Sequence, residues 1–421
     1  MRLGKIILKG LGILILIAIL TMMGFLIYAN RKALAIDMPH TAKTVATMQE
    51  EGQHLSAIAD HPGVRLFGLG EMTHGNHRAQ TLRLDMIQTL AEHGVRYIFL
   101  ETPYKDGYAI ERYIQGDDTT PLKDIVDAQD FWLYHTEEMV TLYRWMRTYN
   151  DTHSDKLHVY GVDMQEFDSA AAILVHKLKA MAVDTGAIQS ALEKGDKAAA
   201  VEAMTSALTT ADVTTQSRFD STDLKLNLAV LKQYVTNETL TAQTQPGQVY
   251  SEDAYTFRDK SMAENTLLVL SHGRGLILAH DMHIAKLSNL NPTMGKILTQ
   301  SLGDGYYAVG TFARDLRFYA MDAFIHTGSP KVWHIIDHSD MMSAFHDTAL
   351  SEAYYDFDAL SHPLKQYFNA VHPLLTAGAT YHTVLRFLPQ SNYISLNPTD
   401  AFDGLILLQT DTPFYYLDSE K

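Results

Sequence analysis

Residues Val64-Arg65-Leu66-Phe67-Gly68-Leu69-Gly70-Glu71-Met72-Thr73-His74-Gly75-Asn76-His77 run from a short apolar stretch through glycines and polar groups toward a helical pattern. The stretch from Val64 to Gly70 is strand-like, delivered by a turn at His61-Pro62-Gly63. Beyond it Leu82, Met86, Ile87 and Leu90 recur at spacings of three and four, which is helical, and Gly94 stops the pattern before the next apolar run, Tyr97 to Leu100. The expectation is a strand, helix, strand unit.

The alternation continues outward in both directions. Thr41 to Ala59 reads as a helix, and Leu157 to Val162, Leu276 to Ala279, Tyr306 to Phe312 and Gly404 to Leu408 read as further strands. Alternating elements predict an α/β fold, a layered and mostly parallel sheet flanked by helices. Between Asp168 and Ser271 the pattern is almost wholly helical, with polar breaks at Asp184 to Gly186 and Thr239 to Gly247, so residues 168–271 are expected to form a helical insertion in a body spanning 36–421.

A chain of 421 residues that is 46% hydrophobic can bury a full core, which excludes disorder. The first 32 residues carry Arg2, Lys5, Lys9, Arg31 and Lys32 and no acid, so the net charge of -15 divides into +5 there and -20 beyond. An acidic body without basic runs repels phosphate backbones, and nucleic acid is not an expected partner. Zero cysteines exclude disulfides, thiolate nucleophiles and cysteine-based metal sites.

Gly10 to Ala29 is a run of 20 uncharged, mostly apolar residues, long enough for one membrane-spanning helix in contact with the lipid bilayer. Arg2, Lys5 and Lys9 ahead of it favour a cytoplasmic N-terminus, so residues 1–35 are expected to be a single-pass anchor with the body outside the cytoplasm. The alternative is a cleaved secretory signal ending at Ala33-Leu34-Ala35.

In parallel sheets ligands bind beyond the carboxyl ends of the strands, where this chain gathers its ionisable groups. Glu71 and His74 lie three apart on a turn, close enough for a carboxylate to orient an imidazole, although Thr73 or Asn76 there could simply cap a helix. Glu101 follows the strand Tyr97 to Leu100, with the plainer role of an acid before a helix at Pro103. Asp163 and Gln165 close a third strand, and His280 and His283 a fourth. Arg83 could fold back from the helix toward the same rim or remain a solvated cation. The spacing of His280 and His283, with Glu71 and His74 nearby, is also compatible with a metal site.

In order along the chain, Gly70-Glu71-Met72-Thr73-His74-Gly75, Leu100-Glu101, Tyr160-Gly161-Val162-Asp163, Arg258-Asp259-Lys260-Ser261-Met262-Ala263-Glu264-Asn265 and His280-Asp281-Met282-His283 resemble the erythromycin esterase family. The resemblance runs from about Arg65 to Leu408 and includes Phe402-Asp403-Gly404-Leu405-Ile406 as the closing strand. It implies an ester or lactone hydrolase that needs no metal or other cofactor and forms no covalent intermediate. By the same likeness His74 is the general base, Glu71 and Glu101 position it and the water, and His280 and Arg83 steady the oxyanion. His283, Asp163 and Gln165 are then expected to bind a small-molecule substrate. One departure is Arg78-Ala79, where many members carry a glutamate. Two other functions remain open: a metal-dependent hydrolase with Glu71, His74, His280 and His283 as ligands, and a non-catalytic envelope protein binding a glycan, lipid or partner on the same fold.

Overall fold

The computed structural model describes residues 12–25, 39–211, 218–244, 251–287, 292–322, 329–381 and 392–417. In chain order the strands are β1 (Leu66–Glu71), β2 (Val95–Pro103), β3 (His158–Asp163), β4 (Arg274–His280), β5 (Tyr306–Asp322), β6 (Lys331–Ile336), β7 (Glu352–Asp356), β8 (His372–Leu375), β9 (Thr380–Tyr381), β10 (Tyr393–Leu396) and β11 (Gly404–Asp411). The large sheet has the order β3-β2-β4-β1-β5-β11-β7, with β6 and β9 pairing β5, while β8 and β10 form a separate pair. From β3 to β11 every neighbour is parallel.

Burial explains this arrangement. All six residues of β1 are buried, and β4 is buried from Gly275 onward, as expected for strands covered by helices on both faces. The helix His77–Ala91 crosses from β1 to β2 and buries Leu82, Met86, Ile87 and Leu90. Between β3 and β4 the described chain is helical, from Asp168–Ala180 through Arg218–Thr241 to Glu252–Leu270.

The sheet is mixed rather than simply parallel, because β7 runs antiparallel to β11 and β6 antiparallel to β5. Partnership with β6 also carries β5 well beyond Phe312. The helix expected over Thr41 to Ala59 ends at Glu51, and Leu55–Asp60 forms a 3-10 turn instead. Gly52 between them is extended, and a Cβ there would stand 2.7 Å from Leu350.

The expected membrane anchor is corrected. The described helix covers residues 12–25. Among the described residues no helix is long and apolar enough to cross a membrane. The bilayer contact through residues 10–29, the single-pass topology, the extracytoplasmic placement and the envelope role built on them fall with that finding. Residues 10–11 and 26–29 of the expected span, like Ala33-Leu34-Ala35, lie outside the described residues.

Candidate active site

Parallel strands present their carboxyl ends along one edge of the sheet, and the ionisable candidates stand there. Glu71 ends β1 and His280 ends β4, directly paired in the ladder between them. Glu101 lies near the end of β2, and Asp163 ends β3. The turn after β1 packs too closely for side chains at its glycines. A Cβ on Gly70 would sit 1.9 Å from Asp281 Oδ1, and one on Gly75 would sit 2.0 Å from the Tyr319 carbonyl oxygen.

Glu71 is gripped from two sides. One carboxylate oxygen accepts from His74 Nδ1 at 2.7 Å, and the other from Arg83 Nη2 at 2.7 Å. Burial pushes this carboxyl up, but Arg83 and the bond from His74 outweigh it and hold Glu71 below the usual carboxylate range. Arg83 is itself buried, with its guanidinium 5.3 Å from the centre of the Tyr134 ring. Burial works against its charge, and Glu71 more than compensates. Because Nδ1 of His74 carries the proton donated to Glu71, the lone pair lies on Nε2, for which no protein partner exists among the described residues.

His280 has the opposite character. Its Nδ1 accepts from the Met282 backbone at 3.2 Å and its Nε2 donates to the Met72 carbonyl at 3.2 Å, a pattern that requires a neutral ring. Burial, then the neighbouring His74 and His283, push it down to about 3. The His74 and His280 ring centres are 5.2 Å apart.

Glu101 binds these groups to a second cluster. Oε2 accepts from the His280 backbone N–H at 2.9 Å and Oε1 from Arg258 Nη2 at 2.9 Å, while His283 Nε2 lies 3.2 Å from Oε1 and 3.2 Å from Arg258 Nη1. Burial raises its carboxyl, whereas His283, Arg258 and His74 together bring it well below the ordinary value. His283 lies between Glu101 and Asp259, with Nδ1 donating to Asp259. Burial disfavours its charge, but the two carboxylates win and lift it to about 10, so the ring is an imidazolium. The ring of Tyr255 stacks against it at 5.8 Å.

Glu71, His74, Arg83, Glu101, His280 and His283 therefore form one connected cluster. Asp163 and Gln165 sit behind it, since Asp163 accepts from Arg258 Nε at 3.0 Å and Nη2 at 2.7 Å, and Gln165 donates to Asp163 at 2.6 Å. Arg258 and Asp259 received no role from sequence, although the motif containing them was visible. They lie within the helix Glu252–Leu270, remote in the chain from every strand end they serve. Asp281 is also buried there, and burial pushes its carboxyl well above the usual carboxylate range. Arg78 is tied by Nε and Nη2 to Glu352 of β7 at 2.6 and 2.8 Å and by Nη1 to Asp85 at 2.7 Å.

The metal-ligand role for Glu71, His74, His280 and His283 is corrected. Among the described residues no group of three or more such side chains is placed to hold an ion. Glu71 is taken by His74 and Arg83, His283 by Asp259 and Glu101, and both ring nitrogens of His280 by backbone.

The sequence model of the family described as erythromycin esterase matches residues 90–410. The chain belongs to the erythromycin esterase family. Membership in the erythromycin esterase family makes it a hydrolase of ester bonds. The match begins within the helix after β1, so the place of Glu71, His74 and Arg83 rests on the geometry above. Three solved structures share the fold. A Bacillus cereus protein is 18% identical with a TM-score of 0.74, covering 90% of this chain and 100% of its own. A succinoglycan biosynthesis protein is 17% identical with a TM-score of 0.67, covering 89% and 98%. An erythromycin esterase mutant in its open conformation is 15% identical with a TM-score of 0.57, covering 87% and 95%. No curated protein matches.

Proposed function

We propose that this erythromycin esterase family member hydrolyses a carboxylic ester or lactone by water that His74 activates. The observation carrying this reading is the chain Arg83, Glu71, His74: a guanidinium keeps a buried carboxylate ionised, and the carboxylate holds Nδ1–H so that Nε2 is left as the base. As water loses a proton to Nε2, the imidazolium that forms is stabilised by Glu71. Arg83 acts through Glu71 and is a positioning residue, rather than a donor to the oxyanion.

The oxyanion then falls to His280. Its neutral ring has one N–H, held by Met72 at the long end of hydrogen-bond distances, and this is the donor the reading assigns to the substrate oxygen. Glu101 fixes His280 through its backbone N–H. Water is the nucleophile on this reading because the chain has no cysteine, and among the described residues the hydrogen-bond partners of Glu71, His74, Glu101, His280 and His283 include no serine or threonine hydroxyl.

The test is a hydrolysis screen of purified protein on carboxylic esters and lactones beside His74→Ala. Turnover by the wild type with a loss of roughly 10²- to 10⁴-fold in the variant supports the assignment. Undiminished turnover by the variant ends it.

A further inference from the structure

We infer that the site takes esters that are neutral or cationic near the scissile bond and turns away those bearing a carboxylate or phosphate there. This rests on the hydrolase reading and adds the substrate class.

Charge balance in the connected cluster is the first ground. The carboxylates are Glu71, Glu101, Asp163 and Asp259, and the cations are Arg83, Arg258 and His283. Four against three leaves the buried centre one negative charge in excess while His74 is neutral. His280 adds no charge, because its nitrogens serve one acceptor and one donor of the backbone, and Asp281 accepts from the Thr311 backbone N–H with no ion pair among the described residues.

Each cation is also already engaged. Arg83 is held by Glu71, Arg258 by Asp163 and Glu101, and His283 by Asp259 and Glu101. To receive an anionic substrate group, one of them would have to abandon a buried carboxylate, leaving that charge unpaired. When His74 takes a proton from water, an equal negative charge develops on the substrate oxygen, so the excess persists through the reaction and a further anionic group on the substrate would add to it.

Beside the cluster stands Tyr255, 42% exposed, with its ring stacked on His283. Its outer face offers an aromatic surface of the kind that attracts an alkylammonium or apolar group. The net charge of -15 adds a field that draws cations and repels anions at long range.

Three acetate esters of similar size separate the possibilities: acetylcholine, 3,3-dimethylbutyl acetate as its neutral isostere, and 3-acetoxypropionate. The expected order of kcat/KM is cationic at least equal to neutral, with the anionic ester on the order of tenfold or more below. That gap should persist at 0.5 M salt, because buried charges are screened far less than exposed ones. Tyr255→Leu should lower kcat/KM for the cationic ester by a larger factor than for the neutral one. Equal turnover of the anionic and neutral esters, or a gap abolished by salt, overturns the inference and leaves the hydrolase reading intact. If no ester or lactone is turned over faster than by His74→Ala, the hydrolase reading itself is overturned.

Discussion

Glu71 and His280 are partners at the last rung of the parallel β1–β4 ladder. One strand end therefore supplies the carboxylate that orients the base, and its neighbour supplies the neutral donor. Since residues alternate between sheet faces, a slip of one position in this register would move His280 away from His74.

The His74 ring is the more open member of its pair, with a side chain 12% exposed against 4% for Glu71. His74→Ala should therefore lose catalysis far more than stability. The expected result is the loss in kcat given above with an unfolding midpoint in urea close to the wild type. A collapsed midpoint would show that the residue is structural.

Removing Arg83 leaves Glu71 buried beside His74 without its guanidinium. Arg83→Met should cost about 3–5 kcal/mol of stability, the usual penalty for orphaning a buried charge. Glu71 is depressed in the fold, so its stabilising contribution is present above its unfolded value and is lost as pH falls through the folded one. Without Arg83 that loss should set in at higher pH, and acid unfolding followed by circular dichroism will show whether the acid limb moves upward.

His283 gives the opposite sign. Its folded value of about 10 exceeds the ordinary 6.5, so its contribution is complete below pH 6.5 and declines as pH rises toward 10. The stability difference between wild type and His283→Gln should therefore shrink between pH 7 and pH 9.5 in urea titrations. A difference constant over that range would mean that the ring is not an imidazolium.

Gly75→Ala would drive a methyl group into the Tyr319 backbone, which donates its own N–H to the Gly75 carbonyl at 3.1 Å. We expect roughly 1–3 kcal/mol of destabilisation from overpacking. Displacement of the His74 turn should also lower kcat. Full activity at an unchanged melting temperature would show that the β5 backbone yields freely.

Much of the layered fold was legible because its signals are local. The apolar run before Glu71, the helical spacing of Leu82, Met86, Ile87 and Leu90, and the stop at Gly94 each depend only on neighbouring residues. The antiparallel edges were not legible, because pairing of β6 with β5 is decided by where distant segments meet. The membrane expectation rested on hydropathy over residues 10–29, which reports composition, whereas among the described residues no helix is long and apolar enough to cross a membrane.

The amino-acid sequence by itself determined which ionisable groups follow which strands, since chain order and hydrophobic periodicity place Glu71, Glu101, Asp163 and His280 at strand ends. Only the tertiary structure decided their states. His280 and His283 are three residues apart, yet one is a neutral ring between backbone groups and the other an imidazolium between two carboxylates. Protonation follows from the charges and dipoles brought around a buried group, and those come from Asp259, Arg258 and Met72, which the fold alone brings together.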